Sequence, residues 1–389
     1  MTPAARISAA IDLMDVIQGG ALADRALTDW GRRNRYAGSK DRAAIRDIVF
    51  DVLRRRQSLA SLGGDETGRA LLLGYIRSNG QDPESIFGAH KYAPSELTDA
   101  ERISGRSVQV HNDEAVDFPD WLWPDLLRSH GDRTQAIAQA MRNRAPVHLR
   151  VNLAKLSREK AITSLADQGI IGEAHALSPS AVQVLEGARK IRNSTSYLNG
   201  EVELQDASSQ AVADLVPLQQ GERLLDFCAG AGGKVLAVAG RVAGKFFAHD
   251  VDPRRMTDLP VRASRAGAYI TQVSFEEAKQ GPQFDTVLVD APCSGSGSWR
   301  RDPQGKWLLT KDKLDRVVAL QKEILERAAG LVRPQGHLVY ATCSLLECEN
   351  ELQVKEFLNR NTAFSVTVER QFTPLAGGDG FYCSVLRRQ

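Results

Sequence analysis

From Gln205 onwards the chain alternates short apolar runs with helical stretches, and this rhythm restricts the fold more than any other feature. Leu224 to Phe227, Phe246 to His249, Thr286 to Val289 and His337 to Tyr340 read as strands, with helices such as Leu320 to Leu331 between them. Strands separated by helices pair most readily side by side in one direction. The expectation is therefore an α/β unit with a mostly parallel sheet covered on both faces.

The preceding sequence has a different texture. Ile7, Ile11, Met14 and Ile17 recur at helical spacing, as do Ile45, Ile48, Val49, Val52 and Leu53 in KDRAAIRDIVFDVLRRRQSLASL. That region gathers Arg32, Arg33, Arg35, Lys40, Arg42, Arg46, Arg54, Arg55 and Arg56 against Asp41, Asp47 and Asp51. Two readings stay open for it, a solvated helix surface and a nucleic-acid contact. Gly80 to Pro124, with Pro83, Pro94 and Pro119, reads as loops and short helices. HLRVNLAKLSREKAITSLADQGI then predicts a strand from His148 to Leu153 and a helix opening near Ser157. The predicted divisions are a helical domain over 1–135, a small α+β unit over 136–204 and the α/β domain over 205–389.

Composition narrows the class. With 42% hydrophobic and 25% charged residues in 389, the chain can build sizeable cores. A net charge of +2 selects no partner, so any nucleic-acid surface must come from local clustering. The five cysteines form no CxxC pair and no zinc-spaced cluster with histidine, so no metal is expected. Neither a signal peptide nor a membrane-spanning stretch is evident, and the expectation is a soluble, monomeric protein of the reducing cytoplasm.

The chemistry-bearing residues lie where the predicted strands end. LLDFCAGAGGKVLAVAG follows a strand with a glycine-rich turn and a helix beginning near Lys234, which lets backbone amides approach a ligand. The turn alone also fits a dinucleotide site or a tight connection. Asp250 ends the next strand, where an acidic side chain suits ribose hydroxyls; a helix cap is its other reading, and the better one for Asp252. DAPCSGSG and YATCSLLECENE each place a cysteine, Cys293 and Cys343, just past a strand. A single cysteine there is commonly a small buried hydrophobe. Two thiols beside one cofactor site suit methyl transfer to carbon 5 of a pyrimidine, which is a poor nucleophile until a thiolate adds at carbon 6. A cation such as Lys234 would favour that thiolate, and Asp290 could hydrogen-bond the activated base.

These residues resemble the RsmB/Sun branch of RNA cytosine-5 methyltransferases, the NOP/Sun family. QDASSQAV, the glycine-rich turn, DAPCSGSG, RRDPQGKW, LQKEIL and TCSLLECENE stand in the family's order. KDRAAIRDIVFDVLRRR is similar to the family's NusB-like RNA-binding domain, and HLRVNL to the small domain before its catalytic domain. The implied fold is a Rossmann-like class I methyltransferase domain preceded by an all-α NusB-like domain and a small α+β subdomain. The implied cofactor is S-adenosyl-L-methionine and the implied partner is RNA, small-subunit (16S) rRNA in RsmB-type members. The resemblance makes Cys343 the nucleophile and Cys293 the residue that aids product release. It gives cofactor contacts to Cys228, Ala229, Gly230, Ala231, Gly232, Gly233 and Lys234, the ribose to Asp250, and a position between cofactor and base to Asp290. Arg300 and Arg301 would steady RNA or the active-site loop, or form a surface salt bridge.

Two positions depart from the family pattern. Gly230-Ala231-Gly232-Gly233-Lys234-Val235 stands where the family has Ala-Pro-Gly-Gly-Lys-Thr, which loosens the turn without removing a backbone donor. TQVSFEEA lacks the aspartate that reads adenine, leaving Glu276 as the nearest acidic candidate. Cys228, beyond its backbone, Cys348 and Cys383 receive no role. Two rival readings are a DNA cytosine-5 methyltransferase, whose proline-linked nucleophile would be Cys293, and a catalytically inactive RNA-binding ribosome-assembly factor.

Overall fold

The computed structural model describes residues 1–105 and 116–389, and part of the Gly80 to Pro124 stretch lies outside them. Contacts divide the chain into two units, one comprising 1–144 with 299–308, the other 145–298 with 309–389.

In the first unit, helix Pro3–Gln18 starts on Thr2, whose hydroxyl accepts from the Ala5 amide at 3.2 Å, with proline at the first helical position. Helix Ser39–Arg54 buries Ile45, Val49, Val52 and Leu53 against Met14, Leu71, Leu72 and Ile76. The helical pattern runs on through Leu62, but the structure breaks it at Arg55 and restarts as Arg56–Gly63. The change of direction sets Arg56–Gly63 against helix Gly68–Ser78 backbone to backbone: a Cβ on Gly63 would lie 1.8 Å from the Ala70 carbonyl oxygen, and one on Gly74 2.0 Å from that of Leu59. Periodicity reports a buried face and does not see such a break.

The segment 299–308 completes this unit. Lys306, fully buried, lies 4.9 Å from the ring centroids of both Phe118 and Trp307 and donates to the Arg54 carbonyl at 3.1 Å. Burial pushes its pKa down to about 7. Trp307 donates to the Leu53 carbonyl and Gln304 bonds both Ala21 and Ala23, so these residues of RRDPQGKW pack within this unit, while Arg301 and Asp302 are exposed. Arg300 is buried, and its carbonyl accepts from Arg54 at 2.8 Å.

The second unit holds two sheets. β1 (Val147–Val151), β2 (Ile171–Ala174), β3 (Ala181–Glu186) and β4 (Val202–Leu204) form an antiparallel sheet in the order β2-β3-β1-β4. Helix Arg158–Asp167 follows β1, and Ser157 caps it by accepting from the Lys160 amide. The larger sheet contains β5 (Arg223–Asp226), β6 (Lys245–Ala248), β7 (Ile270–Gln272), β8 (Phe284–Asp290), β9 (Val332–Thr342), β10 (Phe364–Phe372) and β11 (Phe381–Arg388), in the order β10-β11-β9-β8-β5-β6-β7. β7, β6, β5, β8 and β9 run parallel; β11 pairs antiparallel with β9, and β10 antiparallel with β11, so β11 alone runs against the other strands.

The sheet is buried on both faces, as the alternation of strands and helices predicts. Leu225, Val287, Val289, Leu338 and Tyr340 pack with Ile324, Leu325 and Ala328 of helix Lys311–Ala329. Their neighbours Leu224, Leu288, Val339 and Ala341 face the other way, toward Val212, Val235 and Leu259. From β5 the chain proceeds outward through β6 and β7, then crosses back to β8 on β5's other side. The carboxyl ends of β5 and β8 thus flank the topological switch point, where ligands bind in sheets of this kind.

Candidate active site

The glycine-rich turn is held from several sides. Asp226, buried at the end of β5, accepts from the Val235 amide at 3.2 Å across the turn. Its other carboxylate oxygen is buried without a hydrogen-bond partner. Burial, and next the charge of Asp290, push its carboxyl up to about 7. Gly230 and Gly232 adopt positive φ of 50° and 78°, and Gly232 opens helix Gly233–Ala239. Asp250, just past β6, accepts from the Gly230 amide at 2.9 Å and pairs with Arg255 at 3.1 Å. Asp252 caps the short helix Pro253–Met256, the role its sequence context favours.

Arg150, on β1, donates to the Gly233 carbonyl at 2.7 Å and to Gln205 Oε1 at 2.5 Å. Gln205 donates to the same carbonyl at 3.2 Å, and Arg262 donates to that of Ala231. Burial lowers the Arg150 pKa to about 10, so it stays charged beneath the turn. QDASSQAV therefore props the turn from outside, a role its spacing alone does not reveal.

β8 and β9 bring the two cysteine loops together. Asp290 pairs in register with Ala341, so Cys293 and Cys343 leave adjacent strand ends. Their sulfur atoms are 3.3 Å apart, and both residues are partly exposed. The Gly297 amide donates to the Cys343 carbonyl at 2.9 Å, tying the loops by backbone as well. Lys234 reaches in from its helix and donates to Asp290 at 2.6 Å.

The electrostatics separate the two thiols. Hydrogen bonding with Cys293 lowers the pKa of Cys343, with Lys234 assisting; burial, Asp290 and Glu349 oppose. The same hydrogen bond, followed by burial, raises that of Cys293. Cys343 is thus the more acidic member of the pair. Burial pushes Cys228 up and Cys383 up to about 12, so neither resembles a nucleophile.

Of the residues singled out from sequence, Cys228 to Lys234, Asp250, Asp290, Cys293 and Cys343 thus gather at the carboxyl ends of β5, β6, β8 and β9. Glu276 stands apart: it is exposed on the first turn of helix Phe275–Gln280 and makes no hydrogen bond to them. Asp226, Arg150, Gln205 and Glu349 enter as supports that sequence reasoning left unassigned. Among the described residues no His/Cys/Asp/Glu group is arranged to hold a metal, and no helix is long and apolar enough to cross a membrane.

Residues 213–386 match the 16S rRNA methyltransferase RsmB/F family, and residues 118–192 the ferredoxin-like domain of RsmF/B-like methyltransferases. The chain is 36% identical over 398 residues to ribosomal RNA small subunit methyltransferase B of Escherichia coli O6:K15:H31, covering 89% of this chain and 90% of that protein. The chain belongs to the RsmB/F family of rRNA methyltransferases. It is also 35% identical over 292 residues to the enzyme of the same name from Pasteurella multocida, a match spanning 69% of this chain and 65% of that protein. A methyltransferase homolog protein from Pyrococcus horikoshii shares the fold at TM-score 0.62 and 24% identity, covering 70% of this chain and 96% of that one. The cofactor of this rRNA methyltransferase is S-adenosyl-L-methionine. The residues present fit it: a positive-φ glycine turn, an acidic side chain at the end of β6, and a buried Asp226 oxygen left without a protein partner.

Proposed function

We propose that the enzyme methylates carbon 5 of a cytosine in small-subunit rRNA through a covalent adduct on Cys343. The observation that carries this reading is the 3.3 Å thiol pair, polarised so that Cys343 is the more acidic member. S-adenosyl-L-methionine supplies an electrophilic methyl group when bound. The Cys343 thiolate adds to carbon 6 of the base, and the electron pair displaced from the 5,6 double bond makes carbon 5 nucleophilic. After methylation, loss of the carbon 5 proton to a base re-forms the double bond as the bond to Cys343 breaks. Cys293 assists this release. Asp290, held by Lys234, orients the base edge between cofactor and thiols.

In this reading the turn residues Cys228 to Lys234 would hold the cofactor by their backbone and Asp250 would take the ribose; Glu276, exposed and apart from them, is the acidic candidate for the adenine. Residues 1–135 act as a NusB-like RNA-binding domain, 136–204 as a small linking unit and 205–389 as the catalytic domain. The reduced thiols suit the cytoplasm.

The test is to incubate the protein with labelled S-adenosyl-L-methionine and unmethylated small-subunit rRNA, then identify the labelled nucleoside by mass spectrometry. Label in 5-methylcytidine is expected. Label in another nucleoside overturns the assigned position, and cofactor binding without transfer to any rRNA would favour the inactive assembly factor.

The turn offers a second expectation. In Gly232→Ala a Cβ would lie 2.2 Å from Leu259 Cδ1, a fully buried side chain, at φ +78°. Strain of about 1–3 kcal/mol at this position should weaken S-adenosylhomocysteine binding about tenfold or more by calorimetry. Gly221→Ala, also at positive φ (85°) but in open space, should leave that affinity unchanged.

A further inference from the structure

We infer that Glu349 is a positioning residue that sets the geometry of the two thiols by bridging the residue immediately after each. Its side chain is fully buried. Oε1 accepts from the Ser294 amide at 2.7 Å and from Gln321 at 3.1 Å. Oε2 accepts from the hydroxyls of Ser294 and Ser344, each at 2.5 Å. Ser294 follows Cys293 and Ser344 follows Cys343. Gln321 also donates to the carbonyl of Pro292, the residue before Cys293, at 2.9 Å. One carboxylate thus fixes both loops where the thiols emerge.

A buried carboxylate is costly unless every oxygen is served, and charge-assisted hydrogen bonds of this number repay it only in one arrangement of the donors. Asn350 fixes the same loop from the next position, accepting from Thr342 at 2.5 Å and donating to the Ser344 carbonyl at 3.0 Å. The Tyr340 hydroxyl donates to the Glu349 carbonyl at 2.7 Å, so the carboxylate has little freedom to move.

The charge has a second consequence. Cys343 faces Cys293 and Lys234, which favour its thiolate, and Asp290 and Glu349, which oppose it. Cys293 faces Cys343 and Glu349, and both, together with burial, raise its pKa. Glu349 therefore raises the pKa of both thiols. The same carboxylate thus acts on both the geometry and the acidity of the two thiols.

This inference rests on the two-thiol reading, and its test separates the two. In the full-length protein, the iodoacetamide alkylation rates of Cys343 and Cys293 are followed by mass spectrometry from pH 5 to 9, without RNA. Methyl transfer to small-subunit rRNA is measured alongside. Glu349→Gln keeps the shape and removes the charge: both alkylation midpoints should move to lower pH, and kcat should fall up to about a hundredfold with KM for RNA little changed. Glu349→Asp should recover part of the loss and restore the wild-type direction of both midpoints. Unchanged alkylation profiles and kcat within about twofold in Glu349→Gln would overturn the role. If the profiles move while wild type forms no RNA adduct, the carboxylate's role stands and the covalent mechanism fails.

Discussion

Cys343→Ala should abolish both methyl incorporation into small-subunit rRNA and the protein–RNA adduct that survives denaturation, whereas Cys293→Ala should retain and accumulate the adduct. Loss of a covalent nucleophile removes the reaction path, and a fall of at least about 10³-fold in kcat is expected for Cys343→Ala. The two thiols are 3.3 Å apart at the ends of neighbouring strands, so proximity cannot distinguish them. Polarisation does: hydrogen bonding with Cys293 and the charge of Lys234 lower the pKa of Cys343, while the same hydrogen bond and burial raise that of Cys293. A group whose pKa is raised can give its proton to the Cys343 sulfur as the bond to carbon 6 breaks, while a separate base takes the proton from carbon 5. Denaturing gels with labelled rRNA read the adduct, and filter-bound label reads transfer. Adduct that persists in Cys343→Ala and disappears in Cys293→Ala would reverse the assignment and match the proline-linked nucleophile of the DNA enzymes.

The part of this site legible in the sequence is the part built from strand ends. A parallel sheet delivers the residues after each strand to one edge, so Asp250, Asp290, Cys293 and Cys343 converge wherever their strands are recognised. The supports beyond reach depend on contacts distant in sequence. Arg150 acts through the carbonyl of Gly233 and Glu349 through Ser294, and neither pairing has a local signature. Both supports do lie in or beside motifs that sequence resemblance flags, HLRVNL and TCSLLECENE, without saying what they touch. The strands β7, β10 and β11 escaped for another reason. β7 is three residues long, and most of β10 is exposed. β11 is buried along most of its length, but its Tyr-Cys-Ser centre and C-terminal arginines interrupt an apolar run. The break at Arg55 escaped because the helices on either side keep the same apolar periodicity.

Substitutions at Lys234 and Asp290 should both depress methyl transfer, yet shift the reactivity of Cys343 in opposite directions. Lys234 is buried and donates to Asp290 at 2.6 Å, with its ammonium 4.9 Å from the Phe381 ring centroid. Burial alone would lower its pKa, but the attraction and hydrogen bond of Asp290 outweigh that and hold it raised. A raised lysine contributes stability that is complete below its unfolded value and is lost only as pH climbs through the folded one, so the pair persists across the working range. Asp290→Asn leaves a buried ammonium without its counter-charge and should cost about 3 kcal/mol, the low end for a broken buried pair because the Asp290 side chain is 34% exposed. Lys234→Met leaves a carboxylate that can turn to water and should cost less. The chemistry follows different signs. Without Lys234 the Cys343 thiolate loses a stabilising cation, so its alkylation midpoint rises and methyl transfer recovers partly at alkaline pH. Without the Asp290 charge the midpoint falls, yet transfer stays low at every pH because the base has lost the group that orients it. Thermal melts, alkylation profiles and methyl transfer on the two variants separate these effects. Full activity in Asp290→Asn, with only its stability reduced, would reduce Asp290 to a counter-ion for Lys234 and remove it from the reaction.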